Sequence, residues 1–364
     1  MAEKPLFPAR VEDITPELLT AVLAEQRPGV KVVRFEVAEV KQFGQGIVST
    51  ADRVTVKLDY APGCRGDLPE RVIIKTMLLS PHAPDAMYLN EVRFYRDIRP
   101  SLDIETPQCY GSTFDRQTGQ FSVVLEDLRE RGATFPNVTT PISPAAITYL
   151  VKTLASLHAR FWMSPRFATD LDWLVTPLSG GMSDVFRSTG FEYLQRRMAK
   201  DGFKAGMIAP LGADLATLWS KLWKVQELLE REPTTLLHGD PHIGNTYLLP
   251  GDRAGLLDWQ LMIRGSWAHD LTYLLVTAMD TETRRNNERE FIELYLEELK
   301  RNGVASPPDF EAAWGMYRRA VIWGLVIGWL FTPPINYGER ITVENIERLV
   351  AAAQDLETLE AIGD

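Results

Sequence analysis

The chain has 364 residues, of which 45% are hydrophobic and 24% are charged, and its formal net charge is −10. This length allows two domains or two lobes, and the composition is that of a folded globular protein rather than a disordered one. The acidic balance argues against nucleic-acid binding, which needs a basic surface.

The cysteines and the apolar segments indicate the cellular setting. Only Cys64 and Cys109 are present, too few for a disulfide framework, and this favours a reducing, cytoplasmic location. The N-terminal residues lack the apolar core of a signal peptide. The longest apolar run, 320–332, is too short to cross a bilayer and predicts a buried helix. Neither a membrane nor a protein partner is indicated.

The first third of the chain predicts a small sheet with one main helix. A capped helix at 15–25 comes first, and apolar and polar residues then alternate as they do in strands. Five strands are expected, at 30–41, 49–60, 71–77, 107–114 and 120–126. A helix at 85–98 separates the third strand from the fourth, and Pro100 ends it.

A glycine-containing loop joins the first two of these strands. Gly44 and Gly46 allow the backbone to approach a phosphate closely, and neighbouring amides can point at it. The loop lacks the Gly-Lys-Ser/Thr ending of a Walker A motif. Taken alone, it is better interpreted as a plain hairpin turn.

The rest of the chain predicts mainly helices. Residues 143–161 place their apolar side chains and His158 on one stripe, so His158 is interpreted as a core residue. Residues 163–211 mix prolines, glycines and aromatics, which is compatible with a cap over a substrate cleft or with helices joined by loops. Further helices are expected at 213–231, 268–279, 283–302, 308–331 and 342–362.

A polar loop follows a short apolar strand at 236–237. Two glycines and a proline within 239–244 prevent a continuous helix, so Asp240 and Asn245 share this loop. Strands at 247–249 and 255–258 are then expected to form a hairpin that brings Asp258 back beside Asn245. The result would be one carboxylate that can accept a proton, with an amide oxygen and a second carboxylate as magnesium ligands.

Two other interpretations of the loop remain open. His238 and His242 are four residues apart, a spacing that suits two zinc ligands on a helix, but this segment does not predict a helix. A zinc hydrolase would follow from that interpretation. A buried polar turn without any chemistry is the second alternative.

The loop pattern His-Gly-Asp-x4-Asn, followed by Asp258, resembles that of the aminoglycoside phosphotransferase and choline kinase superfamily. Its variant His-Gly-Asp-x-His-x-Gly-Asn and the later Leu-Leu-Asp-Trp-Gln look most like the ecdysteroid-kinase-like branch. The resemblance implies a bilobal, protein-kinase-like α+β fold. It places a small antiparallel-sheet N-lobe at 1–125, a hinge at 126–131 and a larger, mainly helical C-lobe at 132–364.

The resemblance also implies a role for each matching residue. Asp240 would be the catalytic residue, and Asn245 and Asp258 would hold Mg²⁺. Lys75, paired with Glu91, would hold the phosphates of ATP. From the residues alone, Lys75 is compatible with an exposed edge position and Glu91 with a solvated helix position.

The remaining implied residues surround the nucleotide or support the loop. Gly44, Gly46 and Ser49 would lie against the phosphates, and the backbone near Glu126 and Leu128 would bind adenine. Three further residues are expected in supporting positions: His238, His242 and Asp270. Asp270 would brace the catalytic loop, although a charge in the first turn of a helix is the simpler interpretation. His242 is compatible with contact to Asp258 or with the acceptor side.

The implied function is transfer of the γ-phosphoryl group of ATP to the hydroxyl of a small molecule. The branch resemblance favours a neutral or lipophilic acceptor, whereas the acidic composition suits an aminoglycoside. A nucleotide-binding pseudokinase or scaffold is the alternative of another class. It is disfavoured because all the residues that carry the chemistry are present.

Overall fold

The computed structural model describes residues 7–42, 50–78 and 83–363. The chain divides into two compact units, one made of Met1–Ala133 with Leu257–Leu261 and the other of Thr134–Leu256 with Met262–Asp364. The expected hinge at 126–131 and the lobe limits drawn from it stay predictions.

The first unit contains a five-stranded antiparallel sheet with the strand order β1-β2-β3-β5-β4. Its strands are β1 (Val32–Lys41), β2 (Asp52–Tyr60), β3 (Arg71–Thr76), β4 (Cys109–Phe114) and β5 (Phe121–Glu126). Helix α1 (Pro16–Ala24) packs on the sheet through Leu19 and Val22. Helix α2 (Asp85–Arg93) continues as a π-helical segment, Phe94–Ile98.

The position of β3 explains the apolar sequence around Lys75. Because β3 pairs with β2 on one side and with β5 on the other, it is an interior strand of the sheet. Val72 and Ile74 are fully buried in the core of this unit. A lysine in such a run is therefore placed inside the protein, where it needs a partner of opposite charge.

The second unit is mainly helical. Its α-helices are α3 (Pro144–Arg160), α4 (Gly180–Val185), α5 (Phe191–Lys200), α6 (Phe203–Ile208), α7 (Leu215–Leu229), α8 (Ala268–Ala278), α9 (Thr281–Arg301), α10 (Phe310–Trp323), α11 (Glu339–Asp355) and α12 (Thr358–Ile362). π-Helical segments follow α4 and α10, at Phe186–Gly190 and Gly324–Leu330. Helix α8 is buried along its whole length and packs against α10.

Two short antiparallel pairs frame the polar loop. Strand β6 (Thr234–Leu237) pairs with β9 (Ile263–Ser266), and β7 (Thr246–Leu249) pairs with β8 (Arg253–Leu256). The expected hairpin therefore forms, but β8 begins and ends earlier than predicted, and Asp258 lies beyond it. Asp258 has a φ of 69°, a left-handed conformation that a strand residue does not adopt.

Two other elements differ from the sequence prediction. The predicted helix at 342–362 is two helices, because Glu357 adopts a left-handed conformation with a φ of 46°. Strand β9 was not predicted, since its four residues include a glycine and an arginine and carry little strand signal. Among the described residues, no helix is long and apolar enough to cross a membrane.

The β7–β8 hairpin yields a stability prediction. A Cβ added at Gly255 would lie 2.6 Å from Cε1 of the buried Tyr247, with neighbouring ring atoms equally crowded. We expect Gly255→Ala to lower the free energy of unfolding by about 1–3 kcal/mol, as overpacking usually does. The control is Gly206→Ala in α6, where a Cβ meets nothing within 4 Å and should stabilise the helix slightly. Urea denaturation of both variants checks this, and equal effects would contradict it.

Candidate active site

Lys75 sits between two carboxylates of the first unit. Its side chain lies in the sheet with 4% exposure, and its Nζ is 2.8 Å from Glu91 Oε2 and 3.1 Å from Asp258 Oδ1. Glu91 projects from α2 and is 1% exposed. The exposed-edge interpretation of Lys75 and the solvated interpretation of Glu91 are therefore both excluded.

Burial sets the electrostatics of this group. Burial raises the pKa of Glu91, and the positive charge of Lys75 opposes that shift. An isolated charge in such a place would be strongly destabilising, so Lys75 and Glu91 each depend on the other as a partner. The Nζ of Lys75, held in this way, can contact a further anion such as a phosphate oxygen.

Aromatic packing holds the segment after Asp258. The ring of Trp259 stacks on Phe94, with 3.7 Å between ring centroids and 8° between ring planes. Its Nε1 donates a hydrogen bond of 3.0 Å to Thr106 Oγ1. The left-handed backbone at Asp258 is unfavourable for a residue with a side chain, and such packing is what maintains it. Trp259 was not among the site residues expected from the sequence.

In the second unit, Asp240 and Asn245 lie together in the polar loop. Asn245 Nδ2 donates to the carbonyl oxygen of Asp240 at 2.8 Å and to its Oδ2 at 3.0 Å. Both bonds use the amide nitrogen, so within the described part of the chain the amide oxygen remains for another partner. An amide oxygen is a hard donor of the kind that Mg²⁺ prefers. The carboxylate expected to share the ion, that of Asp258, belongs to the first unit, and the Mg²⁺ site stays a prediction.

The two loop histidines have defined tautomers. His238 Nδ1 accepts from the backbone N–H of Asp240 at 3.3 Å, and His242 Nδ1 accepts from that of Gly244 at 3.1 Å. When neutral, each ring therefore carries its proton on Nε2. His242 Nε2 lies 3.7 Å from Asp240 Oδ2 and 3.4 Å from the hydroxyl of Tyr337.

The zinc interpretation gains no support from this geometry. The segment from His238 to His242 is not a helix, and both Nδ1 atoms already accept backbone hydrogen bonds. No group of three or more His, Cys, Asp or Glu side chains suited to a metal is found within 7–42, 50–78 and 83–363.

Asp270 contacts the loop directly from the first turn of α8. Its fully buried carboxylate accepts the backbone N–H of His238 at 2.6 Å and that of Gly239 at 3.0 Å. The His158 ring adds a third contact at 3.2 Å from its Nε2. Burial alone would raise the pKa of Asp270, but the hydrogen bond from His158 and the charges of the neighbouring histidines bring it below its usual value. Asp270 therefore remains a carboxylate at neutral pH.

The expected adenine segment and phosphate loop can be described only in part. The backbone N–H of Glu126 donates to the carbonyl oxygen of Gln108 at 2.9 Å, and the carbonyl oxygen of Leu128 accepts from the backbone N–H of Ala133 at 3.1 Å. The Glu126 carboxylate accepts from the backbone N–H of Gln108 at 2.8 Å. These groups are engaged within the first unit, and their role toward adenine stays a prediction. The phosphate-loop residues Gly44, Gly46 and Ser49 lie outside the described residues.

Sequence reasoning missed three residues of α8 that contact the loop. Thr277 Oγ1 accepts the N–H of Ile243 at 3.0 Å, and His269 Nε2 is 3.0 Å from the carbonyl of Gly239. The ring of Tyr273 lies 5.8 Å from that of His242, measured between ring centroids. A signal for them existed, because polar residues inside an apolar helix must find partners when the helix is buried.

Comparison with known proteins identifies the family. The model of the phosphotransferase enzyme family (APH) matches residues 65–307. This is more than half of the 364 residues, so the chain belongs to that family and is a phosphotransferase. The superfamily and the class of enzyme predicted from the sequence are confirmed, and the ecdysteroid-kinase-like branch stays a prediction. None of the curated protein sequences matches the chain.

Two solved structures have a similar fold. A spectinomycin phosphotransferase in complex with ADP and spectinomycin has 14% identity and a TM-score of 0.50, over 95% of this chain and 99% of its own. A choline kinase from Cryptosporidium parvum has 12% identity and a TM-score of 0.50, over 94% and 95%. Such low identities show the fold alone. The two similar structures confirm the predicted protein-kinase-like α+β fold, with an antiparallel sheet and a mainly helical remainder.

The bracing contact gives a stability prediction. Asp270→Asn places an NH₂ group where the carboxylate accepts backbone N–H groups, so at least one buried donor loses its partner. We expect a loss of about 2–4 kcal/mol in the free energy of unfolding, measured by denaturant titration. Asp309→Asn is the matched control, because Asp309 is an exposed N-cap of α10 and asparagine caps equally well. Equal stability of the two variants would show that Asp270 does not brace the loop.

Proposed function

We propose that the protein transfers the γ-phosphoryl group of ATP to a hydroxyl group of a small molecule. The proposal rests above all on the braced loop in which Asp240 and Asn245 lie together, inside the segment that matches the phosphotransferase family. The buried pair of Lys75 and Glu91 supports it from the first unit.

Asp240 is assigned to the acceptor hydroxyl. Its carboxylate accepts the hydroxyl proton while the hydroxyl oxygen bonds to the γ-phosphorus and the bond to the leaving ADP oxygen breaks. Its side chain is 21% exposed, so it is accessible to a substrate, and Asn245 fixes one of its oxygens. His238 supports the loop through its ring contact with the Asp240 amide.

The nucleotide is assigned to the charged groups. Lys75 holds phosphate oxygens, and Glu91 keeps its ammonium group in place. Asn245 and Asp258 provide oxygen ligands for Mg²⁺, which when bound neutralises the charge of the phosphates. The family resemblance implies that the phosphates also contact Gly44, Gly46 and Ser49. It implies that adenine binds to the backbone at Glu126 and Leu128, and both roles are part of the proposal. The cytoplasmic location likewise remains part of the proposal.

For the acceptor, we favour a neutral or lipophilic hydroxyl compound. The ring of His242 lies 3.7 Å from the Asp240 carboxylate and has the rings of Trp329 and Tyr337 at 5.6 Å between centroids, so aromatic side chains are close to this part of the loop. An aminoglycoside is the second candidate. The net charge of −10 favours it, because a polycation is attracted to an acidic protein.

Asp240→Asn tests the catalytic assignment. We expect turnover to fall about 10²-fold to 10⁴-fold while ATP binding stays near normal, because only the proton acceptor is removed. Asp214→Asn is the control, since Asp214 is an exposed N-cap of α7. Steady-state kinetics and calorimetry measure the two quantities. Normal turnover in Asp240→Asn would remove Asp240 from the mechanism.

A second pair of variants separates metal contacts from phosphate contacts. Asp258→Ala should abolish the Mg²⁺-dependent tightening of ATP binding, whereas Lys75→Ala should weaken binding with and without metal. Because Lys75→Ala leaves Glu91 buried without its partner, the double variant Lys75→Met with Glu91→Gln serves as the folded control. Identical calorimetric behaviour of Asp258→Ala and Lys75→Ala in EDTA would contradict the assigned roles.

An ATP-depletion screen tests the acceptor class. We expect turnover with neutral or apolar alcohols such as sterols and hydroxyacyl compounds, and little with aminoglycosides. Choline analogues serve as a cationic comparison of small size. Efficient turnover of kanamycin-type compounds alone would replace the favoured acceptor by the second candidate. ATP binding without turnover of any acceptor would instead favour the pseudokinase.

A further inference from the structure

Lys204 of α6 is a fully buried lysine that the proposed mechanism does not use. Its Nζ donates hydrogen bonds to three carbonyl oxygens, those of Trp329 at 3.0 Å, Leu330 at 3.0 Å and Thr332 at 2.7 Å. The Asp201 carboxylate lies 3.4 Å from the same nitrogen. Burial lowers the pKa of Lys204 to about 8, and the charge of Asp201 opposes that shift. The side chain therefore carries its proton at neutral pH and has one N–H group for each carbonyl.

The sequence explains why these carbonyls need a side-chain donor. Two of them belong to the end of the π-helical segment Gly324–Leu330, and the last carbonyls of a helix have no partner within it. A backbone N–H four or five residues further on would continue the ladder, but for Trp329 both of those positions are prolines, Pro333 and Pro334. Proline has no backbone N–H. Lys204 thus supplies hydrogen bonds that the following backbone cannot.

The backbone that Lys204 holds carries two aromatic side chains to the polar loop. The ring of Trp329 lies 5.6 Å from that of His242 and 4.9 Å from that of Tyr337, measured between centroids. The Tyr337 ring is also 5.6 Å from that of His242, and its hydroxyl is 3.4 Å from His242 Nε2. The same Nε2 lies 3.7 Å from Asp240 Oδ2. The hydrogen bonds of Lys204 therefore act on backbone that places aromatic rings against a histidine beside Asp240.

We propose that Lys204 is a positioning residue for the acceptor side of the site, because it fixes the backbone that carries Trp329 and Tyr337. The inference rests on the proposed function, in which the acceptor hydroxyl meets Asp240. The two rings form one wall of the acceptor site, and Lys204 sets the position of that wall without contacting the acceptor. Lys204 belongs to the segment 163–211, whose sequence is compatible with a substrate cap or with packed helices. The proposal gives this segment a supporting role in acceptor binding.

Lys204→Met tests the geometry without any acceptor. Methionine keeps an unbranched side chain but removes all three donors, so the backbone at Trp329 should move. The measurement is the position of the His242 Cε1–H signal in an NMR spectrum, because the ring currents of the nearby aromatic side chains act on it. The chain has five histidines, and His242→Asn assigns the signal. We expect this signal to shift in Lys204→Met, while that of His158, which lies against Tyr295, stays in place.

Arg318→Met is the matched control for the loss of a cation that caps a helix. Arg318 of α10 donates from its Nε to the carbonyl oxygen of Leu356, at the end of α11, at 2.6 Å. Its replacement should lower the melting temperature and leave the His242 signal in place. If Lys204→Met does not fold, Lys204→Gln, which keeps two N–H donors, replaces it with a smaller expected shift. An unmoved His242 signal in a folded Lys204 variant would overturn the inference.

Acceptor kinetics test the functional part of the inference. The probes are cholesterol, a hydroxybutyrate ester, choline and kanamycin A, and KM is measured for each one that the unchanged protein phosphorylates. We expect Lys204→Met to raise this KM about 2-fold to 10-fold, the size of one aromatic contact, with KM for ATP unchanged. Trp329→Phe completes a double-mutant cycle, in which the loss of Lys204 should matter less once Trp329 is replaced.

The outcomes separate this inference from the proposed function. A wild-type acceptor KM in Lys204→Met, or effects of Lys204→Met and Trp329→Phe that simply add, would overturn the role of Lys204 alone. An equal rise of the acceptor KM in Arg318→Met would do the same, because the effect would then follow stability. Full activity of Asp240→Asn with a raised KM in Lys204→Met would overturn the role of Asp240 and leave the aromatic wall in place. Phosphorylation of none of the four probes would overturn the acceptor site on which both proposals rest.

Discussion

The polar loop depends on one buried charge, the carboxylate of Asp270. Moving a carboxylate out of water is costly unless hydrogen bonds replace its hydration. Here two backbone N–H groups and the His158 ring do so, and His158 in turn contacts the hydroxyl of Tyr295 at 2.7 Å. Because these donors are needed to stabilise the charge, the backbone at 238–239 is held where it can supply them. The carboxylate and the loop conformation therefore require each other.

A loop needs such support because it lacks the repeated hydrogen bonds of a helix or sheet. Its N–H and C=O groups must still find partners when buried. Helix α8 supplies them at regular intervals, since residues three and four apart share one face. His269 adds a contact to the carbonyl of Gly239, and burial lowers the pKa of its ring. The result is an irregular segment attached to a rigid, buried helix, which suits residues that must keep a fixed geometry.

Many of the helices and strands, and the position of the polar loop, could be predicted from local sequence. Alternation and capping residues predict the five strands and the first helix, and the glycines and proline within 239–244 indicate that Asp240 and Asn245 share a loop. What local sequence did not provide is contact over long separations. The ring of Tyr273 packs against Gly324 and Gly328, about fifty residues further along the chain, where isolated glycines in an apolar run merely suggest a weak helix. Similarly, the break at Glu357 depends on a backbone conformation that glutamate rarely adopts.

Buried polar residues nevertheless leave a sequence signal that apolar periodicity overlooks. A lysine within a strand as apolar as β3, or Asp270 and Thr277 within a helix as apolar as α8, is unfavourable unless a partner is present. Lys75 has Glu91, and Asp270 and Thr277 have backbone N–H groups of the loop. In each case the fold tolerates a polar group in its interior because that group binds a partner, which is Glu91 for Lys75 and the polar loop for the residues of α8. A polar residue on the core face of a helix or strand therefore indicates, from sequence alone, a position that can support a functional site.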